Sequence, residues 1–206
     1  VLARKLTANP ACRWILQRSI AVYLYVLHAL LHFTCRKEFV GHERLLGLES
    51  VILCGWHVAA IPYATAYLHF DRKIVYLTLE DWRTWPIHWL LKRMRIGPMI
   101  TLDSPEPVQQ IVGYLKQGYS TVVTPDGPAG PPKILRKGVL QMALKSGVPI
   151  IPVQVEAPHA CVFFWSWDQK RIPLPFSKVT IRFGEPIYVT EETLDRAREH
   201  LQTALG

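Results

Sequence analysis

Two side chains in this sequence have the type and setting for acid–base chemistry. His57 follows the apolar run Val51-Ile-Leu-Cys54 and the pair Gly55-Trp56, and no charged residue lies between Gly55 and His69. Imidazole has an ordinary pKa of ~6.5, so its neutral form is available as a base at pH 7. A lone histidine is more often structural, so position alone does not make His57 catalytic. The second side chain is Asp126, in Thr124-Pro-Asp-Gly-Pro-Ala-Gly-Pro-Pro132. Four prolines in nine residues exclude a helix or a central strand and describe a stiff loop that aims one carboxylate. Lys133, Arg136 and Lys137 follow at once. A rigid carboxylate beside three cations suits orienting a base or gripping a phosphate-bearing substrate. Glu80 and Asp81 close another apolar stretch and are further acidic candidates.

These residues must be held by strands and helices. Residues 51–54, 73–79, 97–102, 119–124, 148–155 and 178–184 have the apolar, β-branched character of strands. Between them, 58–70, 82–94, 108–118, 137–147 and 190–205 carry helical patterns, with Asp103-Ser104-Pro105-Glu106 opening the third and Gly147 closing the fourth. Alternation of this kind predicts an α/β fold around a mostly parallel, layered sheet flanked by helices. Ligands in such sheets collect where strands run out into loops, which is where His57 and Asp126 fall.

One stretch stands apart. Residues 19–34, SIAVYLYVLHALLHFT, carry no formal charge, and Arg13, Arg18, Arg36 and Lys37 flank them. Apolar side chains cover every face, unlike a surface helix of a soluble domain. Sixteen residues span ~24 Å, short of the ~30 Å of a bilayer's hydrocarbon core. A buried core helix is the plain alternative. Cationic flanks and aromatic residues favour a membrane-embedded or interfacial anchor over 1–38, with an α/β domain over 39–206.

Composition narrows the partners. The 206 residues suit one core-forming domain. Lys and Arg number 24 against 16 Asp and Glu, a net charge of +8 that favours an anionic partner such as a phosphate or an anionic membrane surface. Nucleic acid is not expected, because the aromatics cluster in apolar runs instead of alternating with cations. The four cysteines are far apart, which indicates neither zinc nor a disulfide framework and fits a reducing, cytosolic setting. His28 and His32 lie one helical turn apart without an evident third ligand, so no metal is expected. No signal peptide with a small-residue cleavage site is evident, and the start at Val1 leaves room for an upstream piece. The serine nucleophile elbow, the phosphate-binding loop, the dinucleotide fingerprint and the zinc-protease motif are all missing.

Residues 124–155, TPDGPAGPPKILRKGVLQMALKSGVPIIPVQV, followed by SWDQKRIPLPFSKVTIRFGEPIYV, resemble the glycerolipid (lysophospholipid) acyltransferase superfamily. They look closest to a bacterial branch whose members are largely uncharacterised. The resemblance spans roughly residues 40 to 190. The family's third motif corresponds to Thr124–Ala129, its proline-bearing fourth to Val148–Val153, and its second to Gly97–Ser104. Its first motif, histidine followed five residues on by aspartate, is here His57 and Pro62. The family's phosphate-gripping arginines are replaced by Ser104 and Ala129.

The resemblance implies acyl transfer from a thioester, acyl-coenzyme A or acyl carrier protein, to a hydroxyl of a lipid-like acceptor. No cofactor is needed, and the protein would work at the cytoplasmic face of the inner membrane. The alternative is a lipid-binding or membrane-assembly protein with eroded catalytic motifs. His57 would be the general base. Asp126 is the first candidate for its carboxylate partner, ahead of Glu80 and Asp81. Gly97, Asp103, Ser104, Gly127, Pro128, Lys133, Arg136 and Lys137 would line the substrate.

Overall fold

The structure, a computed structural model, describes residues 9–206. The anchor expected over 1–38 begins in residues 1–8, which lie outside the described residues. Helix α1 runs Pro10–Thr34, 25 residues, so it is longer than the charge-free run. Its start is set by capping and not by hydrophobicity. The Asn9 side chain accepts hydrogen bonds from the Ala11 and Cys12 amides at 2.9 and 3.4 Å, with proline in the first turn. At ~37 Å, α1 is long and apolar enough to cross a membrane by length and composition. Only its Ala21, His28 and Leu31 are buried.

Nine strands follow or interleave with five further helices. They are β1 (Arg36–Val40), β2 (Ile52–Cys54), β3 (Ile74–Thr78), β4 (Ile96–Thr101), β5 (Ser120–Val123), β6 (Ile150–Glu156), β7 (Ala160–Val162), β8 (Arg171–Pro173) and β9 (Lys178–Phe183). The helices are α2 (Ala60–Thr65), α3 (Trp85–Arg93), α4 (Pro107–Leu115), α5 (Gly138–Ser146) and α6 (Leu194–Leu205). Seven strands form one sheet in the order β1-β9-β6-β2-β5-β3-β4. The five from β6 to β4 are mutually parallel, β9 is antiparallel to β6, and β1 is parallel to β9. The mostly parallel layered sheet expected from the alternating pattern is therefore present. Strand β1 was not legible as a strand, being charged and exposed along most of its length, and the boundary expected between 38 and 39 falls inside it. The helix expected over 58–70 is shorter, a 3₁₀ turn at His57–Ala59 followed by α2.

Period-two alternation divides the core into two layers. Ile52, Cys54, Val75 and Ile150 face α4, α5 and α6, packing on Ile111, Leu115, Leu140, Met142 and Leu201. Val51, Leu53, Ile151 and Val153 face the opposite layer of Leu31, Tyr63, Ala66, Phe70 and Met94, supplied by α1, α2 and the segments beside them. Burial on both faces is why these strands read as unbroken apolar runs. A separate two-stranded antiparallel hairpin, β7–β8, follows β6.

Candidate active site

The position of His57 follows from sheet register. Strands β2 and β5 are adjacent and parallel, with Cys54 opposite Val123. His57 and Asp126 each lie three residues beyond those partners, so the two loops emerge side by side at the carboxyl edge of the sheet. Strand β6 flanks β2 on the other side, with Pro152 opposite Cys54. The chain leaving β6 turns into the β7–β8 hairpin, whose connection returns over His57.

That connection carries the carboxylate that meets the imidazole. His57 Nδ1 is 2.6 Å from Oδ2 of Asp168, whose side chain is 0% exposed against 21% for His57. Asp126, expected to be this partner, does something else. Its carboxylate accepts the backbone N–H of His57 at 3.1 Å and that of Lys133 at 3.3 Å. The Asp126 expectation is thus corrected: the proline-fixed turn holds the main chain of the histidine, and a different segment holds its ring. Glu80 and Asp81 do not reach it either. They follow β3, two strands from β2 and so ~10 Å across the sheet. Glu80 lines a second cleft, and Asp81 makes a bidentate pair with Arg83 at 2.9 Å.

Asp168 is itself held firmly. The Ser166 hydroxyl donates to Oδ1, and the Lys170 ammonium lies 3.1 and 3.0 Å from the two oxygens. Burial would raise the pKa of this carboxyl. Hydrogen bonds from Ser166, His57 and Lys170, with the charge of Lys170, outweigh burial and bring it down to about 2. Asp168 is therefore an anion at any physiological pH. Accepting the Nδ1 proton, it leaves Nε2 as the basic nitrogen of the neutral ring. No side chain among the described residues bonds Nε2. The Trp167 ring packs 5.2 Å from the imidazole, and its Nε1–H donates to the Pro128 carbonyl at 3.0 Å, tying the hairpin connection to the Asp126 turn.

An open cleft of about 600 Å³ adjoins the dyad, lined by Trp56, Val58, Pro62, Lys133, Trp167, Asp168 and Arg171 among others. His57 is not part of its wall. Of the three cations expected to grip an anion, only Lys133 lines this cleft, and its ammonium also donates to the Gly206 carbonyl at 3.0 Å. Arg136 donates to the Gly130 carbonyl and lies against Gly127, bracing the turn, and Lys137 precedes α5 as its cap residue. Gly127 and Pro128 belong to the turn, and the Pro128 carbonyl accepts the Trp167 Nε1–H. Gly97, Asp103 and Ser104 belong to β4 and the turn after it, at the far edge of the sheet and ~14 Å from β2. Gly97 lines the second cleft, also about 600 Å³, with Thr78, Glu80, Trp85, His88 and Trp89. The Ser104 hydroxyl is occupied by the Thr101 carbonyl at 2.6 Å. His28 and His32 stand 6.3 Å apart between ring centroids, and His32 Nδ1 lies 3.2 Å from the Thr65 carbonyl oxygen.

Sequence reasoning passed over Asp168, together with Ser166, Trp167 and Lys170. One signal was available. Asp168 is the only acidic residue in the aromatic and basic run from 160 to 178.

No family model matches this chain. An uncharacterised protein of Rickettsia prowazekii (strain Madrid E) is 28% identical over 214 residues, covering 96% of this chain and 91% of that protein. Among solved structures, the 1-acyl-sn-glycerophosphate acyltransferase of Thermotoga maritima superposes with a TM-score of 0.58 at 17% identity, over 95% of this chain and 80% of that one. The chain shares that enzyme's fold.

Proposed function

We propose that this protein is an acyltransferase that moves an acyl chain from a thioester, of coenzyme A or acyl carrier protein, to a hydroxyl of a lipid-like acceptor. The observation that carries the reading is the 2.6 Å contact between His57 Nδ1 and the buried carboxylate of Asp168, ionised at physiological pH, at the carboxyl edge of the sheet. An oriented imidazole with a free second nitrogen is what general-base catalysis requires. The shared fold with a lysophosphatidic acid acyltransferase supports the same reaction class.

In this mechanism His57 Nε2 takes the proton of the acceptor hydroxyl as its oxygen forms a bond to the thioester carbonyl carbon. The carbonyl electron pair moves to oxygen, then returns as the carbon–sulfur bond breaks. The imidazolium passes its proton to the departing thiolate, restoring the neutral ring. Asp168 keeps Nδ1 protonated and stabilises the transient positive charge without taking the proton. A thioester is already activated, so a base and a positioning site suffice.

Lys133, joined by Arg171, is assigned the anionic part of donor or acceptor, since both cations line the cleft beside the dyad. The apolar helix α1 seats the protein on an anionic membrane at its cytoplasmic face, where a lipid acceptor is concentrated.

The test is release of free thiol from acyl-coenzyme A and acyl carrier protein by the purified chain, across a panel of hydroxyl acceptors. His57→Ala is expected to abolish the release. Turnover that survives in His57→Ala rejects the base assignment. No release from any donor, with binding of acceptor lipid retained, assigns the fold to lipid binding alone.

A further inference from the structure

The hairpin that delivers Asp168 also exposes large apolar side chains that the mechanism does not use. Phe164 is 75% exposed and Trp165 82%, at the connection between β7 and β8. Where β8 leaves the hairpin, Leu174 is half-exposed and Phe176 is 71% exposed. Exposed side chains of this size forgo the burial that large apolar groups ordinarily gain, so four of them on one hairpin mark a contact surface.

The occupant is indicated by what adjoins the cluster. The Leu174 carbonyl accepts from Sγ of Cys35, the residue that ends α1, and the Arg36 amide donates to the Ser177 carbonyl at 2.9 Å. The hairpin's end is thus fastened to the end of α1, two residues beyond the exposed Phe33. Charge agrees with a lipid surface. Residues 160–178 carry Lys170, Arg171 and Lys178 against one acidic residue, the buried Asp168; Lys170 is paired with Asp168 and Lys178 with Glu38 at 2.9 Å, which leaves the exposed Arg171 as the cation with no acidic partner among the described residues. Aromatic tips with flanking cations suit the headgroup boundary of an anionic bilayer.

We propose that the β7–β8 hairpin is a second lipid contact, continuous with the α1 surface, and that seating it on the membrane fixes the turn that presents Asp168 to His57. Trp165 adjoins Ser166, whose hydroxyl holds Asp168. Lipid contact at the tip therefore acts on the dyad within three residues. The proposal rests on the reading of α1 as a membrane-seated helix, and its consequence is a site organised at the surface that carries the acceptor.

The test uses the full chain with vesicles of phosphatidylethanolamine and phosphatidylglycerol, some carrying lipids brominated near the headgroup. Bromolipid should quench wild-type tryptophan fluorescence more than that of Trp165→Phe. Phe164→Ser with Trp165→Ser should bind vesicles about tenfold more weakly with its helical circular dichroism unchanged. Amide exchange across 163–170 should slow when wild type binds. Equal quenching in Trp165→Phe, or equal vesicle affinity in the double variant, overturns the proposal while the α1 reading stands. A wild-type chain that does not bind vesicles overturns both. None of these readouts depends on acyl transfer.

Discussion

The carboxylate on the histidine ring is none of the three that the sequence offers, Asp126, Glu80 and Asp81, and geometry gives each acidic group different work. Asp168 orients the imidazole, so Asp168→Asn should lower kcat by about 10²- to 10⁴-fold with KM little changed. Its pKa is depressed in the folded state, so the stability it contributes is complete above the unfolded value of ~3.9. That contribution is lost as pH falls through about 2. The urea-midpoint difference between wild type and Asp168→Asn should accordingly shrink as pH falls from ~4 to ~2. A difference that stays constant between pH ~4 and ~2 would contradict the assignment. Asp126 is 1% exposed and accepts two backbone amides, those of His57 and Lys133. Asp126→Ala should therefore lose about 1–3 kcal/mol of folding stability by urea denaturation, because those amides lose their partner. Asp81, paired to Arg83 at the surface, should tolerate Asp81→Asn with activity intact. Lys133→Gln with Arg171→Gln should raise KM for a phosphate-bearing substrate about tenfold and leave KM for an uncharged acceptor unchanged. A common effect on both substrates would make the cations structural.

At the scale of elements, the site is a junction of three connections, those after β2, after β5 and within the β7–β8 hairpin. The first two meet because their strands are adjacent and parallel in the sheet. The third is brought in by Trp167, which lies between the His57 ring and the Asp126 turn. Gly130 makes that contact possible. Its φ is +68°, and a Cβ there would lie 2.5 Å from the Trp167 ring. Gly130→Ala should cost about 1–3 kcal/mol of stability from backbone strain and overpacking, and should lower kcat by displacing the ring that steadies His57. Urea denaturation and turnover measured on the same preparation check both effects. Normal kcat in a destabilised variant would show that Trp167 supports the fold without positioning the histidine.

Over the whole molecule, the net charge of +8 and the apolar surface of α1 combine two forces of different range. Ile15, Val22, Val26 and Phe33 recur at helical spacing on the exposed side, while Ala21, His28 and Leu31 pack against the domain. Tyr25 meets Trp89 edge-on, and the Gln17 amide donates to the Trp82 carbonyl, which fastens α1 across α3 and the segment before it. Binding to anionic vesicles should weaken as salt shortens the screening length from ~10 Å at 0.1 M to ~3 Å at 1 M. It should not vanish, because apolar insertion is not screened. Val22→Asp with Val26→Asp should remove the salt-resistant part in vesicle sedimentation. If that variant binds as wild type at high salt, the exposed side of α1 does not enter the membrane.

Much of this arrangement is a property of the sequence alone. The runs at 51–54, 119–124 and 148–155 are strands because burial on both faces favours apolar and β-branched residues, the buried Ser120 and Thr121 hydroxyls in the second being hydrogen-bonded to neighbouring main chain, and the loops after the first two must share an edge once the sheet is parallel. His57, the stiff Asp126 turn and the apolar N-terminal helix all follow from local chemistry. The carboxylate on the imidazole does not. Asp168 lies 111 residues from His57 and reaches it only because β6 pairs with β2 and the hairpin folds back over the sheet edge. The Asp126 carboxylate sits close in the same loop cluster, yet the direction in which it points depends on which amides the turn leaves unpaired. Local pattern fixes which side chains arrive at the edge of a sheet, whereas hydrogen-bond partners across it are chosen by packing between segments distant in sequence.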